Sequence, residues 1–173
     1  MRVIDAAHGI PRFFFDFRRA KTSLDKGETP FTPPVSLILG LREALLMINE
    51  EGLGAVLARH ARLSAALRAG FEALGFAMFP AGRPFSSTVT VGVVPEGLDG
   101  SAIVRHMYAR YRTVIAGQRT KLRNRVIRIG TMGHVGPEDI LADLHYLECT
   151  LRELGRAGAP GAGVQAAAAL LAG

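Results

Sequence analysis

Arg128 interrupts an otherwise apolar run, Arg125-Val126-Ile127-Arg128-Ile129-Gly130. In an extended strand alternate side chains point to opposite faces, so Ile127 and Ile129 share one face while Val126, Arg128 and Gly130 share the other. No neighbour on Arg128's own face is polar. A guanidinium there requires an anion, because an unpaired buried charge is costly, and its planar fork matches a carboxylate through two parallel hydrogen bonds. The anion is either an Asp or Glu of the protein, which the residue types slightly favour, or a carboxylate brought by a ligand. The preceding stretch, Gly117 to Arg125, adds Arg119, Lys121, Arg123 and Arg125. Together they make either an electropositive mouth for small anions or a solvated charged hairpin.

A second group lies in Thr29-Pro30-Phe31-Thr32-Pro33-Pro34, ahead of a strongly helical segment. A helix N-terminus presents free N–H groups and a partial positive charge, so Thr29 and Thr32 beside it suit a phosphate. Local sequence alone favours the plainer role of ordinary capping. Other catalytic signatures are missing: there is no Gly-x-Ser-x-Gly elbow, no Walker loop, and no His or Cys cluster at zinc spacing. His8, His60, His106, His134 and His145 are scattered, with His60 on an apolar helix stripe and His134 in an exposed turn. Cys149 has no second cysteine to pair with and reads as a buried structural thiol.

The 173 residues are enough for one ordinary domain with a real core. Their net charge of +6 suggests polyanion binding, but the chain has three lysines, and its many arginines sit in an Ala- and Gly-rich background, so nucleic acid is not the expected partner. No apolar run is long enough for a membrane span, and the N-terminus lacks the pattern of a secretory signal, which makes a soluble, cytoplasmic protein the expectation.

These residues need elements to position them. Thr32-Pro33-Pro34 supplies a capping hydroxyl and a first-turn proline to a helix carrying Leu37, Leu41, Leu45 and Ile48. Gly52 and Gly54 interrupt it before a second helix with Val56, His60, Leu63, Leu67, Phe71 and Leu74 on one face, ending at Gly75. Short β-rich runs follow at Phe76 to Pro80, Ser87 to Pro95, Thr113 to Gly117 and Arg125 to Gly130, with helices at Ser101 to Arg112 and Pro137 to Gly155. The fold class is therefore α/β in the α+β sense: two layers, with a small, mainly antiparallel sheet packed against helices. Phe13-Phe14-Phe15-Asp16-Phe17 either covers the chain's own core or marks an interface to something else. The Ala- and Gly-rich stretch after Arg156 reads as a mobile or weakly helical tail.

Lys26-Gly27-Glu28-Thr29-Pro30-Phe31-Thr32-Pro33-Pro34-Val35-Ser36, followed by Leu41-Arg42-Glu43-Ala44-Leu45, resembles the class V pyridoxal-phosphate aminotransferases of the alanine–glyoxylate and serine–pyruvate type. Val91 to Gly97, Val114 to Gly117 and Val126 to Gly133 are similar to that family in the same order, so the resemblance covers roughly residues 10 to 155 and falls in the C-terminal portion. It implies the small domain of a fold-type I aminotransferase over residues 32–155. Residues 1–31 would remain from the inter-domain region, and 156–173 would form the tail. It also implies pyridoxal phosphate as cofactor, amino-acid donors such as alanine or serine, oxo-acid acceptors such as glyoxylate or pyruvate, and a homodimer. Thr32, with Thr29 nearby, would hold the cofactor phosphate, and Arg128 would bind the substrate α-carboxylate. The family's cofactor-bearing lysine lies upstream of the matched region, and neither Lys21 nor Lys26 stands in its motif, so the chain alone is expected to be inactive. Gln118-Arg119 departs from a family position that is commonly glycine. The competing reading is a non-catalytic module that binds protein or nucleic acid through the basic loop and the aromatic N-terminus.

Overall fold

The computed structural model describes residues 2–6, 11–79, 82 and 85–172. The chain divides into two compact units, residues 1–50 and 51–173. In the first are α1 (Arg2–Ala6), α2 (Phe17–Leu24) and most of α3 (Val35–Glu51). The second contains α4 (Leu53–Ala73), β1 (Ala77–Met78), β2 (Val89–Val93), α5 (Gly100–Tyr111), β3 (Val126–Gly130), α6 (Pro137–Glu153) and α7 (Ala162–Leu171). The expected end of the first β run at Pro80, and His8, lie outside the described residues.

In the first unit none of the described residues is buried. Asp16 caps α2 by accepting from the Arg18 N–H at 2.9 Å. The phenylalanines do not enter a core. Phe14 stacks on Phe31 with centroids 4.5 Å apart, and the Arg19 guanidinium lies 4.8 Å from the Phe13 centroid and 4.9 Å from that of Phe31. The α3 helix leaves Leu37, Ile38, Leu39, Leu41 and Leu45 exposed within the chain.

The second unit is the expected two-layer α+β arrangement: a three-stranded antiparallel sheet in the order β1-β2-β3, packed against helices. Thr90 faces Ile129 and Gly92 faces Ile127 across the β2–β3 ladder, and all four are buried. The alternation thus puts this side of the pleat against the core. A Cβ at Gly92 would come within 2.6 Å of the Phe71 ring, so glycine is what lets α4 approach the sheet. Leu63, Leu67 and Phe71 of α4, Ile103 and Met107 of α5, and Ile140, Leu144 and Leu147 of α6 complete the core.

Local chemistry explains the helix boundaries. Asp99 caps α5 by accepting from the Ser101 and Ala102 N–H groups at 2.7 and 3.1 Å. Pro137 opens α6, where the Asp139 carboxylate reaches back to the Gly136 N–H at 2.8 Å. Gly52 alone, at φ +86°, separates α3 from α4, and Gly54 is absorbed into the second helix.

Three expectations need correction. The run Thr113 to Gly117 contributes only one bridge, Ala116 to Arg128: Ile115 is anchored in the core, but Val114 and Ala116 on either side are exposed and the pairing does not extend into a ladder. Cys149 is half-buried rather than buried, with the His145 and Arg152 side chains 3.8 and 3.5 Å from its sulfur. The stretch after Arg156 is not a loose tail, because α7 packs along α4 and α6 with Gly163 and Ala167 buried. Small residues in low-complexity sequence permit that close approach.

Candidate active site

Arg128 is held by backbone on both sides. Its N–H donates to the Ala116 carbonyl at 2.7 Å and its carbonyl accepts from the Ala116 N–H at 3.0 Å, so the bridge fixes where the side chain leaves the sheet. Val91 is its partner on β2, on the half-open face of the pleat as alternation predicted. One terminal guanidinium nitrogen donates to the Gly117 carbonyl at 3.2 Å. The Nε is buried and has no partner, and among the described residues no carboxylate pairs with Arg128. No described residue therefore supplies the anion that the sequence required.

The side chain lines a cleft of about 420 Å³ together with Ser101, Val104, Arg105, Gln118 and Arg119. Its charged lining is three arginines and no acid. Gln118 sets the rim, because its side-chain oxygen accepts from the Arg119 N–H at 2.9 Å. Within the basic loop, Arg119 reaches the cleft while Lys121, Arg123 and Arg125 do not line it. The loop is thus divided between the two roles proposed for it. Such a lining favours small carboxylates.

Thr29 and Thr32 belong to the first unit, on one exposed turn. The Thr29 hydroxyl donates to the Phe31 carbonyl at 2.6 Å and shapes that turn. The expected capping by Thr32 does not form. The first helical bond of α3 runs from the Ile38 N–H to the Pro34 carbonyl, which places Thr32 outside the helix with two prolines between. Proline lacks an N–H, so the cap position has shifted past the hydroxyl.

His60 is satisfied by its own helix, with Nδ1 2.8 Å from the Val56 carbonyl oxygen, and His134 is exposed in the turn after β3. Sequence reasoning missed what holds that turn. Arg59 donates to both Glu51 carboxylate oxygens, at 2.7 and 2.9 Å, and to the carbonyls of Val135 and Gly133, at 2.9 and 3.3 Å. The bonds to Arg59 keep the Glu51 carboxyl below its usual range, and the carboxylate raises Arg59 in turn. The two are eight residues apart across Gly52, a spacing that helix-pair rules do not detect. Arg105 was likewise legible only as a helix-surface charge.

No family model matches the chain. It is 40% identical over 163 residues to the soluble hydrogenase small subunit of a Synechococcus species, covering 94% of this chain and 42% of that protein. With the serine–glyoxylate aminotransferase of Methylorubrum extorquens it shares 36% identity over 163 residues, covering 94% of this chain and 40% of that enzyme. The crystal structure of ureidoglycine–glyoxylate aminotransferase from Bacillus subtilis superimposes with a TM-score of 0.82 at 28% identity, covering 88% of this chain and 41% of that one. This chain matches the C-terminal portion of the class V aminotransferases. It spans about two-fifths of the length of the curated relatives it matches. The aminotransferase fold accounts for the small antiparallel sheet against helices. Among its described residues no helix is long and apolar enough to cross a membrane, and no cluster of His, Cys, Asp or Glu is placed to hold a metal ion.

Proposed function

We propose that this chain is the small-domain part of a pyridoxal-phosphate-dependent aminotransferase that moves an amino group from an amino acid of the alanine or serine type to an oxo acid of the glyoxylate or pyruvate type. The observation that carries this reading is Arg128, a fork donor with a buried, unpartnered Nε and no carboxylate of the described residues paired with it, opening into a cleft whose only charges are cationic. Both substrates of such a reaction carry a carboxylate beside the reacting carbon. Arg128 would bind that group and so orient the α-carbon, with Gln118 and Arg119 at the rim affecting which side chains are admitted.

Pyridoxal phosphate, when bound, would supply the electron sink for chemistry at the α-carbon. Thr32, exposed and outside the helix, fits a phosphate oxygen as its donor. The Thr29 hydroxyl is engaged with Phe31, so its part is to hold the turn. In this reading residues 32–155 form the small domain, 1–31 come from the inter-domain region, and 156–173 add the segment that packs back on it. The assembled enzyme is a cytoplasmic homodimer. Exposed apolar side chains on α3 and around Phe14 support a partner surface in the first unit.

The chain alone should show no transaminase turnover, and combining it with a lysine-bearing large domain of the same family should restore it. In that reconstituted enzyme Arg128→Ala should raise the substrate KM about a hundred-fold, the loss expected for a bidentate charged contact, and leave cofactor absorbance unchanged. An unaltered KM would overturn the reading. Arg128→Lys keeps the charge without the fork, so a folded but substrate-weakened lysine variant separates recognition from stability.

A further inference from the structure

Among the described residues two charged side chains have a buried atom without a hydrogen-bond partner, Glu148 at Oε2 and Arg128 at Nε. Glu148 is closed off: its Oε2 is sealed inside the protein and its Oε1 accepts from the Gly161 N–H at the start of α7. Arg128 lines a cleft, where one substrate carboxylate satisfies it. Two further guanidiniums, Arg105 and Arg119, line the same cleft, and no acid stands among its lining residues. Both are exposed, so water satisfies them and neither requires a ligand. Their effect is on the potential that a bound molecule meets beyond its first carboxylate.

The elements that carry these two arginines fix where they start. Ser101, Val104 and Arg105 stand at helical spacing on one side of α5. The Ser101 hydroxyl donates to the Asn124 side-chain oxygen, and Val104 lies against Gly117, where a Cβ would be 3.6 Å from its methyl. Arg119 comes two residues after Gly117, whose carbonyl accepts from Arg128, and its own N–H is held by the Gln118 side chain at 2.9 Å. Among the described residues neither Arg105 nor Arg119 is in an ion pair, so their charges add to that of Arg128. A substrate of the alanine or serine type uses Arg128 and leaves this cationic rim without a counterpart. We infer that the cleft also admits acidic amino acids of the aspartate kind, with the side-chain carboxylate toward Arg105 and Arg119, which rests on reading Arg128 as the α-carboxylate site and widens the donors of that reaction to dicarboxylates. Exposed charge pairs are weak and screened by salt, so the rim contributes a preference of about five-fold.

The test is a titration of the 173-residue chain with succinate and with monomethyl succinate, which has the same carbon chain and one charge, followed by NMR at the Arg128 side-chain Nε–H. Both should shift that resonance saturably, with succinate binding about five-fold more tightly at low ionic strength. At about 1 M salt, where the Debye length is about 3 Å, the two affinities should converge. Arg105→Gln combined with Arg119→Gln should bring succinate down to the level of monomethyl succinate and leave the latter within about two-fold of its original Kd. Lys121→Gln combined with Arg123→Gln removes the same charge from residues that do not line the cleft, and should leave the ratio unchanged. Three outcomes overturn the dicarboxylate preference while the role of Arg128 stands: no advantage for succinate, an advantage that survives the Arg105 and Arg119 pair, or one lost equally with the Lys121 and Arg123 pair. If neither compound shifts Arg128, both fall.

Discussion

Asp143 shows what an unpaired charge does on the inner side of a helix. Burial, and next the Asp139 carboxylate one turn earlier, push its carboxyl up from the ordinary carboxylate range to about 6. Because the folded value is the higher one, the native state holds more protons than the unfolded chain between about pH 4 and 6. Stability therefore falls as pH rises through that window and levels off above it. Asp143→Asn should remove that slope and stabilise the chain at pH 7 by about 1–2 kcal/mol, after allowing for screening of a partly exposed group. Denaturant melts at pH 4.5 and 7 check both parts, and an unchanged pH slope in the variant would contradict the assignment. Glu153 has the opposite sign. Hydrogen bonds from Tyr111 and His106 lower its carboxyl, so its contribution is present at neutral pH and is lost as pH falls through the lowered value.

At the scale of elements, the second unit depends on close helix approach. Gly70 of α4 sits where a Cβ would come within 2.4 Å of a Leu144 methyl and 3.0 Å of the Gly163 carbonyl oxygen of α7. Leu144 can move, but the α7 backbone cannot without undocking the helix. Gly70→Ala gains helix propensity of about 1 kcal/mol and loses about 1–3 kcal/mol to overpacking. The expected net result is destabilisation of up to about 2 kcal/mol, with faster amide exchange in α7 than elsewhere. A stabilised variant would show that α4 and α7 are not in tight contact. The same reasoning explains why the sequence offered no more than a weak helix for α7 and missed its docking. Ala- and Gly-rich composition removes the large apolar residues by which periodicity is recognised, yet small residues are what allow backbones to meet.

At the scale of the whole chain, the two units differ in what holds them. Residues 51–173 own a core, whereas no described residue of 1–50 is buried. Phe15 is 86% exposed and Leu37 72% exposed, within a first unit rich in such side chains. The isolated chain should therefore bind a hydrophobic dye such as anilinonaphthalene sulfonate while folded, and Phe15→Ser with Leu37→Ser should reduce that fluorescence with no change in Tm. Dye binding unaffected by the pair would place the apolar surface elsewhere. The sequence by itself determined α3, α4, α5 and α6 from their periodicity and the three strands of the antiparallel sheet from short β runs. It also determined that Arg128 needs an anion, because these follow from local spacing and from the cost of an unpaired charge. It could not decide between a protein carboxylate and a ligand for Arg128, the separation of Thr32 from the helix start, the docking of α7, or the orphaned oxygen of Glu148. The Thr32 separation turns on local competition between two prolines for the cap position; the others depend on which groups distant in the chain meet in space, and only the tertiary structure brings Ala116 beside Arg128 and Gly161 beside Glu148.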